Sequence, residues 1–307
     1  MIIVVLALLG LCLGSFINAL VWRLHEQAEQ VDGHSEHSGE QDKPGKLTKK
    51  GKQRFDKKYL ARLSIISGHS MCPSCKHALA GKDLLPVVSW LSLSGRCRYC
   101  RKPISWQYPL VEVLTAGLFI VSYIYWPQML GDGNTGGGLL TAARLQFGLW
   151  LLLLTGFLAL VIYDLRWLLL PNRIVYPLLG IALLSALTGI IAADRPLSAL
   201  FNVLLAVAVG GGLFYVLYQV SSGKWIGGGD VKLGWLLGLL VATPVRAFLL
   251  IFIAALAGTI VSVPLLAAAR LKRTSTIPFG PFLIIAAIVV VLFGTPILHW
   301  YQRLVLY

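Results

Sequence analysis

The sequence predicts an all-α polytopic membrane protein, with about eight transmembrane helices and a small cytoplasmic zinc-binding loop domain. Three observations carry this reading. Hydrophobic residues make up 57% of the 307 and charged residues 13%, too apolar a balance for an ordinary soluble domain. The apolar residues gather in runs close to the roughly 20 residues that a helix needs to cross a bilayer. The polar residues gather in one block, 23–107, which holds more than half of the 27 Lys and Arg and four of the five cysteines.

The formal charge of +14 could suit a nucleic-acid binder, but its distribution argues against one. With eight spans and an external N-terminus, the basic block shares one side with Arg166, Arg173, Lys224, Lys232, Arg270, Lys272 and Arg273. Only Arg144, Arg195, Arg246 and Arg303 fall on the other. That asymmetry is the positive-inside signature, and it puts the block in the cytoplasm. The partners it implies are the lipid bilayer and its anionic head groups, and no nucleic acid.

Taken in order, residues 1–22 form the first transmembrane helix. The run lacks a basic leading segment and a small-x-small cleavage site, so it reads as an uncleaved helix rather than a signal peptide. Gly14 and Ser15 suit close helix packing. Asn18 needs a hydrogen-bond partner there, and Cys12 reads as a small packing residue. Residues 23–107 form the cytoplasmic loop. Its stretch 25–58, rich in His, Glu, Gln, Gly and Lys, reads as a flexible insertion. His25, His34 and His37 match no metal-site spacing there. Residues 70–107 are the cysteine domain, and 108–307 the main membrane domain. Further spans are expected at 109–126, 144–163, 174–192, 199–220, 246–269 and 282–300, with 131–143 a Gly-rich external loop. The stretch 231–241, ended by Thr243-Pro244, is too short to cross alone. The glycine loop before it can lie at membrane depth if protein buries it.

The cysteines form two C-x-x-C pairs, Cys72 with Cys75 and Cys97 with Cys100. Four thiolates on two chelating turns suit a tetrahedral structural zinc, and a reducing cytosol disfavours disulfides. Redox dithiols are the alternative, since Arg96, Arg98 and Arg101 would lower the thiol pKa values.

Acids in or beside apolar runs are costly, and they mark function. Asp164 ends the 144–163 run, and Asp230 follows Gly227-Gly228-Gly229. The charge asymmetry, set without reference to either, places both on the cytoplasmic side. Two close carboxylates share a proton. One can then activate water as a base while the other protonates a leaving amine. The glycines let a substrate backbone approach. The plain alternative is that Asp230 only caps the next helix. Glu112 is either an intramembrane acid or an interfacial carboxylate paired with an Arg. Lys232 either biases the pair toward ionisation or marks the membrane surface. A proton-coupled transporter with a zinc-binding regulatory loop is the rival class; it predicts inverted repeats, and the two halves show no self-similarity. A membrane thiol oxidoreductase leaves both aspartates unexplained.

Over nearly its whole length the chain resembles the type IV prepilin leader peptidases, within the G-x-G-D intramembrane aspartyl proteases. The likeness is carried by Gly14-Ser15-Phe16-Ile17-Asn18 with Arg23-Leu24, and by both C-x-x-C pairs with Leu85-Pro86 and Gly95-Arg96. It continues in Tyr108-Pro109 with Glu112, Asp164 with Leu170-Pro171-Asn172, Asp230 with its glycines and Lys232, and Pro278-Phe279-Gly280-Pro281. The resemblance implies a membrane aspartyl endopeptidase of the bacterial inner membrane. It would cut the leader from prepilin or pseudopilin helices at the cytoplasmic face. Asp164 and Asp230 would be catalytic, with Gly227, Gly228, Gly229, Lys232 and Glu112 binding substrate. Cys72, Cys75, Cys97 and Cys100 would hold zinc. Members with the cysteine domain often N-methylate the new N-terminus, using S-adenosylmethionine. The sequence departs from the family pattern at Trp225, Tyr163 and Asn172, where a glycine, an isoleucine and an acid are usual. None of these removes a carboxylate of the pair.

Overall fold

The computed structural model describes residues 1–38, 63–64, 68–126, 137–267 and 277–306. The described residues are mostly helical, with two isolated β-bridges and no longer strand. Residues 39–58 of the expected insertion, residues 131–136 of the expected external loop, and Arg270, Lys272 and Arg273 lie outside the described residues. Among the described residues, seven helices are long and apolar enough to cross a membrane. The short helix expected near 231–241 is present but stays below that length. The contacts divide the chain into one unit of residues 4–116 and another of residues 1–3 and 117–307.

The first unit holds most of α1 (Ile2–Ser38), α2 (Val88–Ser92) and the start of α3 (Gln107–Tyr125). Residues 25–38, expected in the flexible insertion, instead continue the helix. An existing span supplies the costly nucleus, so Glu, Gln and Ala can propagate it past the apolar run. Gly14 brings α1 onto α3: a Cβ there would sit 2.6 Å from the Glu112 Cα. Asn18 finds its partners at the same crossing, donating to the Gly14 and Tyr108 carbonyls at 3.3 and 3.1 Å. Arg23 is buried and donates to the backbone carbonyls of Ser64 and Gly68, so this cation is paired with peptide dipoles.

The second unit is built around α4 (Gly137–Trp167). Its Trp150, Leu153, Leu154, Phe157 and Leu160 recur at helical spacing and are fully buried. The glycine-rich start of α4 was expected as loop, and at its other end the helix runs past Tyr163 to Trp167. Asp164 therefore lies in the last helical turns rather than beyond them. α5 (Asn172–Ile191) returns alongside, with Gly156 leaving room for the Leu178 side chain. α6 (Pro196–Val207) passes through a π-turn at Ala208–Gly212 into α7 (Leu213–Ser221). α8 (Gly228–Val241), α9 (Pro244–Ala267) and α10 (Gly280–Leu306) complete the unit.

The π-turn seats α8. Gly234 and Gly238 lie four residues apart on one face of α8, against Gly210 and Val207. A Cβ on Gly234 would lie 2.6 Å from the Gly210 carbonyl oxygen, and one on Gly238 would lie 2.7 Å from the Val207 Cα. Two backbones meet here with no side chain between them, which fixes where the first turn of α8 projects.

Candidate active site

Asp164 and Asp230 arrive from different helices and come close enough for their charges to interact. Asp164, buried, lies near the end of α4 and accepts the backbone N–H of Gly280 at the start of α10. Gly280 is required by space: a Cβ would fall 2.5 Å from the Asp164 Oδ2. Asp230, half-buried, is the third residue of α8, and its carboxyl accepts the N–H of Gly227 at the N-cap. This is half of a capping box, so the plain capping alternative is partly present in the geometry. The positive end of the α8 dipole also favours a carboxylate at that position. Leu170 packs against both Gly229 and Gly280, which ties the α4–α5 turn to the segment that carries Asp230 and to the start of α10. Helix geometry leaves the N–H groups of Gly228 and Gly229 without an intrahelical acceptor.

Lys232 does not point at the pair. Its ammonium donates to Asn172 Oδ1 at 2.7 Å and sits 5.4 Å from the centre of the Tyr176 ring. It joins α8 to the start of α5. Sequence reasoning missed Gly234 and Gly238, although G-x-x-x-G in an apolar run is a readable helix-crossing signal. Gly280 is legible in the sequence only as part of Pro278-Phe279-Gly280-Pro281; that its bare Cα makes room for Asp164 is a tertiary fact.

The other chemical cluster lies in the first unit. The Sγ atoms of Cys72, Cys75, Cys97 and Cys100 all lie within 4.8 Å of one another. Cys72 and Cys100, from different pairs, are 3.9 Å apart. A tetrahedron with zinc–sulfur bonds of about 2.3 Å has sulfur–sulfur edges of about 3.8 Å, so the cluster fits zinc. The two pairs sit on matching turns. Lys76 N–H bonds Cys72 C=O and Arg101 N–H bonds Cys97 C=O, and an isolated bridge closes each turn, Met71 with Ala78 and Arg96 with Pro103. Lys76 and Arg101 both have left-handed φ, 57° and 59°. Burial pushes the Cys72 thiol up to about 12. Burial also opposes ionisation of Cys97, but N–H groups of Cys100 and Tyr99 aimed at its sulfur bring it down to about 7. Asp83 braces the second turn, accepting from Arg98 Nε at 2.7 Å and from the Tyr99 hydroxyl at 3.0 Å.

Among the described residues Glu112 has no Arg partner, and it is not open to solvent. It is 6% exposed, and its Oε2 accepts the Val87 N–H at 2.7 Å. Val87 adopts a φ of 59°, a strained value for a β-branched residue, so the backbone is held to meet this carboxyl. Glu112 lines a cavity with Trp22, Trp90 and Tyr108 in the same unit. Nearby, Gly95 has a φ of +67°, and a Cβ there would lie 2.8 Å from the Trp90 ring.

Residues 8–126 match the Bacterial Peptidase A24 N-terminal domain, and residues 151–263 match the Type IV leader peptidase family. A prepilin leader peptidase/N-methyltransferase of Aeromonas salmonicida is 31% identical over 305 residues, covering 97% of this chain and 93% of the relative. The protein of that description from Pseudomonas aeruginosa is 32% identical, covering 96% and 92%. That from Bacillus subtilis is 29% identical over 250 residues, covering 80% and 89%. No solved structure matches the chain. With the carboxyl pair, the cysteine cluster and seven spanning helices in place, and relatives aligned along almost its whole length, the chain belongs to the type IV leader peptidase family, multi-pass proteins of the inner membrane.

Proposed function

We propose that this protein is a membrane aspartyl endopeptidase that removes the leader peptide of prepilin-like proteins at the cytoplasmic membrane face, and that it N-methylates the new N-terminus. The observation that carries the peptidase reading is the convergence of Asp164 and Asp230 from separate helices. Both are flanked by glycines that keep side chains out of the space around them. One carboxylate takes a proton from water, and the resulting hydroxide adds to the scissile carbonyl. The other, protonated because two adjacent negative charges repel, gives its proton to the leaving nitrogen as the C–N bond breaks. Apparent pKa values belong to the pair rather than to either acid. The N–H groups of Gly228 and Gly229 hydrogen-bond an unwound stretch of substrate, with Gly227 opening the approach. Lys232 borders the groove through its link to Asn172.

Residues 1–22 act as the first span, 23–107 as the cytoplasmic loop with zinc held by Cys72, Cys75, Cys97 and Cys100, and 108–307 as the peptidase domain. Zinc here is structural: four cysteine ligands leave it no open position for catalysis. S-adenosylmethionine, when bound, supplies a methyl group on a cationic sulfur. The buried carboxyl of Glu112, set among aromatic rings, fits a cationic donor of that kind. Glu112 would hold the donor while the cleaved amine is oriented toward it.

Intact-mass analysis of a prepilin co-expressed with this chain tests both activities. The expected product has lost its leader and gained about 14 Da, the increment of one methyl. An uncut prepilin contradicts the peptidase reading. A cut but unmethylated product, with donor supplied, contradicts the transferase reading alone.

A further inference from the structure

At the far end of the second unit from the carboxyl pair lies a cavity of about 330 Å³ that the peptidase reading does not use. Gln146, on its wall, is 18 positions before Asp164 on α4. At 1.5 Å per residue that is roughly 27 Å along the helix. The walls come from several membrane-spanning helices, with Val203, Leu239 and Val290 among the apolar lining.

Two of the polar side chains that reach this space, Arg246 and Trp126, can only donate. Arg246 is half-buried there, and its Nη2 donates to Thr295 Oγ1 at 2.8 Å. Among the described residues, no Asp or Glu lines the cavity. Trp126 is 7% exposed, and its indole Nε1 is buried with no hydrogen-bond partner among the described residues. Gln146, Asn202, Ser185 and Thr243, each able to donate or accept, complete the polar lining. Gly189 makes room for one of them: a Cβ there would come within 3.2 Å of Gln146 Nε2. A cation inside a spanning bundle is costly without a counter-charge, and an unpaired buried donor is costly as well. Both costs fall if an acceptor-rich anion occupies the space.

We propose that this cavity binds the phosphodiester of an anionic membrane phospholipid. Arg246 is the charged anchor, and Trp126 Nε1 donates a second hydrogen bond to the phosphate oxygens. A guanidinium presents a planar fork that matches phosphate. The apolar walls, supplied by spanning helices, select a lipid over a soluble ion, because acyl chains can lie against them.

The test uses the full chain, purified in detergent and stripped of lipid. Native mass spectrometry and thermal unfolding are followed with phosphatidylglycerol, with diacylglycerol lacking the phosphate, and with inorganic phosphate. Phosphatidylglycerol should be retained and should raise the unfolding temperature, whereas diacylglycerol should not. Arg246→Gln should weaken retention about tenfold or more, the usual scale for losing a charge-assisted hydrogen bond. Trp126→Phe, which keeps the ring and removes the donor, should weaken it a few-fold. Arg246→Lys, which keeps the charge without the fork, should retain part of the binding if the Gln variant fails to fold. Thr295→Val should leave retention intact. Equal retention by wild type, Arg246→Gln and Trp126→Phe would overturn the proposal, leaving Arg246 a tie between α9 and α10. Arg246-dependent binding of inorganic phosphate with no preference for phosphatidylglycerol would overturn the lipid assignment.

Discussion

The cysteine cluster and the carboxyl pair are built in opposite ways. Each cysteine pair is made by one local turn, closed by its own hydrogen bonds and a left-handed residue, and the turn occurs twice. The carboxyl pair has almost no local structure of its own. Asp164 and Asp230 are 66 positions apart, and Gly280 follows Asp230 by another 50. They meet because helices pack closely at Gly234, Gly238 and Gly210, and because Gly280 yields its side-chain space to Asp164. A local site tolerates a shift of its surroundings. A site assembled from helix ends moves whenever a helix crossing moves.

The largest effect that could break this contrast is loss of a carboxyl. Asp164→Asn or Asp230→Asn should each lower leader cleavage by about a thousandfold or more, within the range of general acid–base catalysis. The exposed Asp194 serves as the control, since Asp194→Asn should leave the rate unchanged. Steady-state cleavage of a purified prepilin measures both.

Next comes the cysteine cluster. Cys72→Ser combined with Cys97→Ser should remove the bound zinc, about one ion per chain, as read by elemental analysis. Because the cluster is local, proteolysis should become faster within 68–107 while α4 to α10 remain resistant. Zinc retained by the double variant would show that these thiols are not the ligands.

A smaller effect should come from the glycines. Gly280→Ala sets a methyl group against the Asp164 carboxyl, so cleavage should fall about tenfold or more while the unfolding temperature changes little. Gly238→Leu forces α8 away from Val207 and should lower both, since the backbone there cannot yield to a side chain. If Gly238→Leu left the rate untouched, helix crossing would not be what positions Asp230.

The smallest effect is expected at Lys232. Its bond to Asn172 is exposed, so Lys232→Met should cost less than about 1 kcal/mol of stability. Cleavage should fall only a few-fold, through loosening of the α5–α8 contact. A loss as large as that of either aspartate would mean that Lys232 acts on the pair after all.

This contrast also explains what could be read in the sequence. The cysteine turns are legible because their ligand spacing is short and repeated, and the spans are legible because burial in lipid demands long apolar runs. Both aspartates could be singled out by their cost in such runs. Their surroundings were harder. The continuation of α1 to Ser38 depends on helix propagation from a span, which polar composition conceals. One partner of Glu112 is the amide of Val87, presented by a φ of 59° that no residue-type preference announces. Lys232 turns to Asn172 because α5 begins there, a tertiary fact. The Gly234 and Gly238 signal was present in the sequence, but its target is a π-turn that apolar periodicity does not reveal.

The most direct test of the central claim, that Asp164 and Asp230 act as one unit, is a double-mutant cycle. Cleavage of one prepilin is measured for wild type, Asp164→Asn, Asp230→Asn and the double variant, with circular dichroism confirming that all four are helical. Groups that work as a unit give strongly non-additive losses. A double variant no slower than the worse single variant is expected. Losses that multiply, or wild-type cleavage by either single variant, would contradict it.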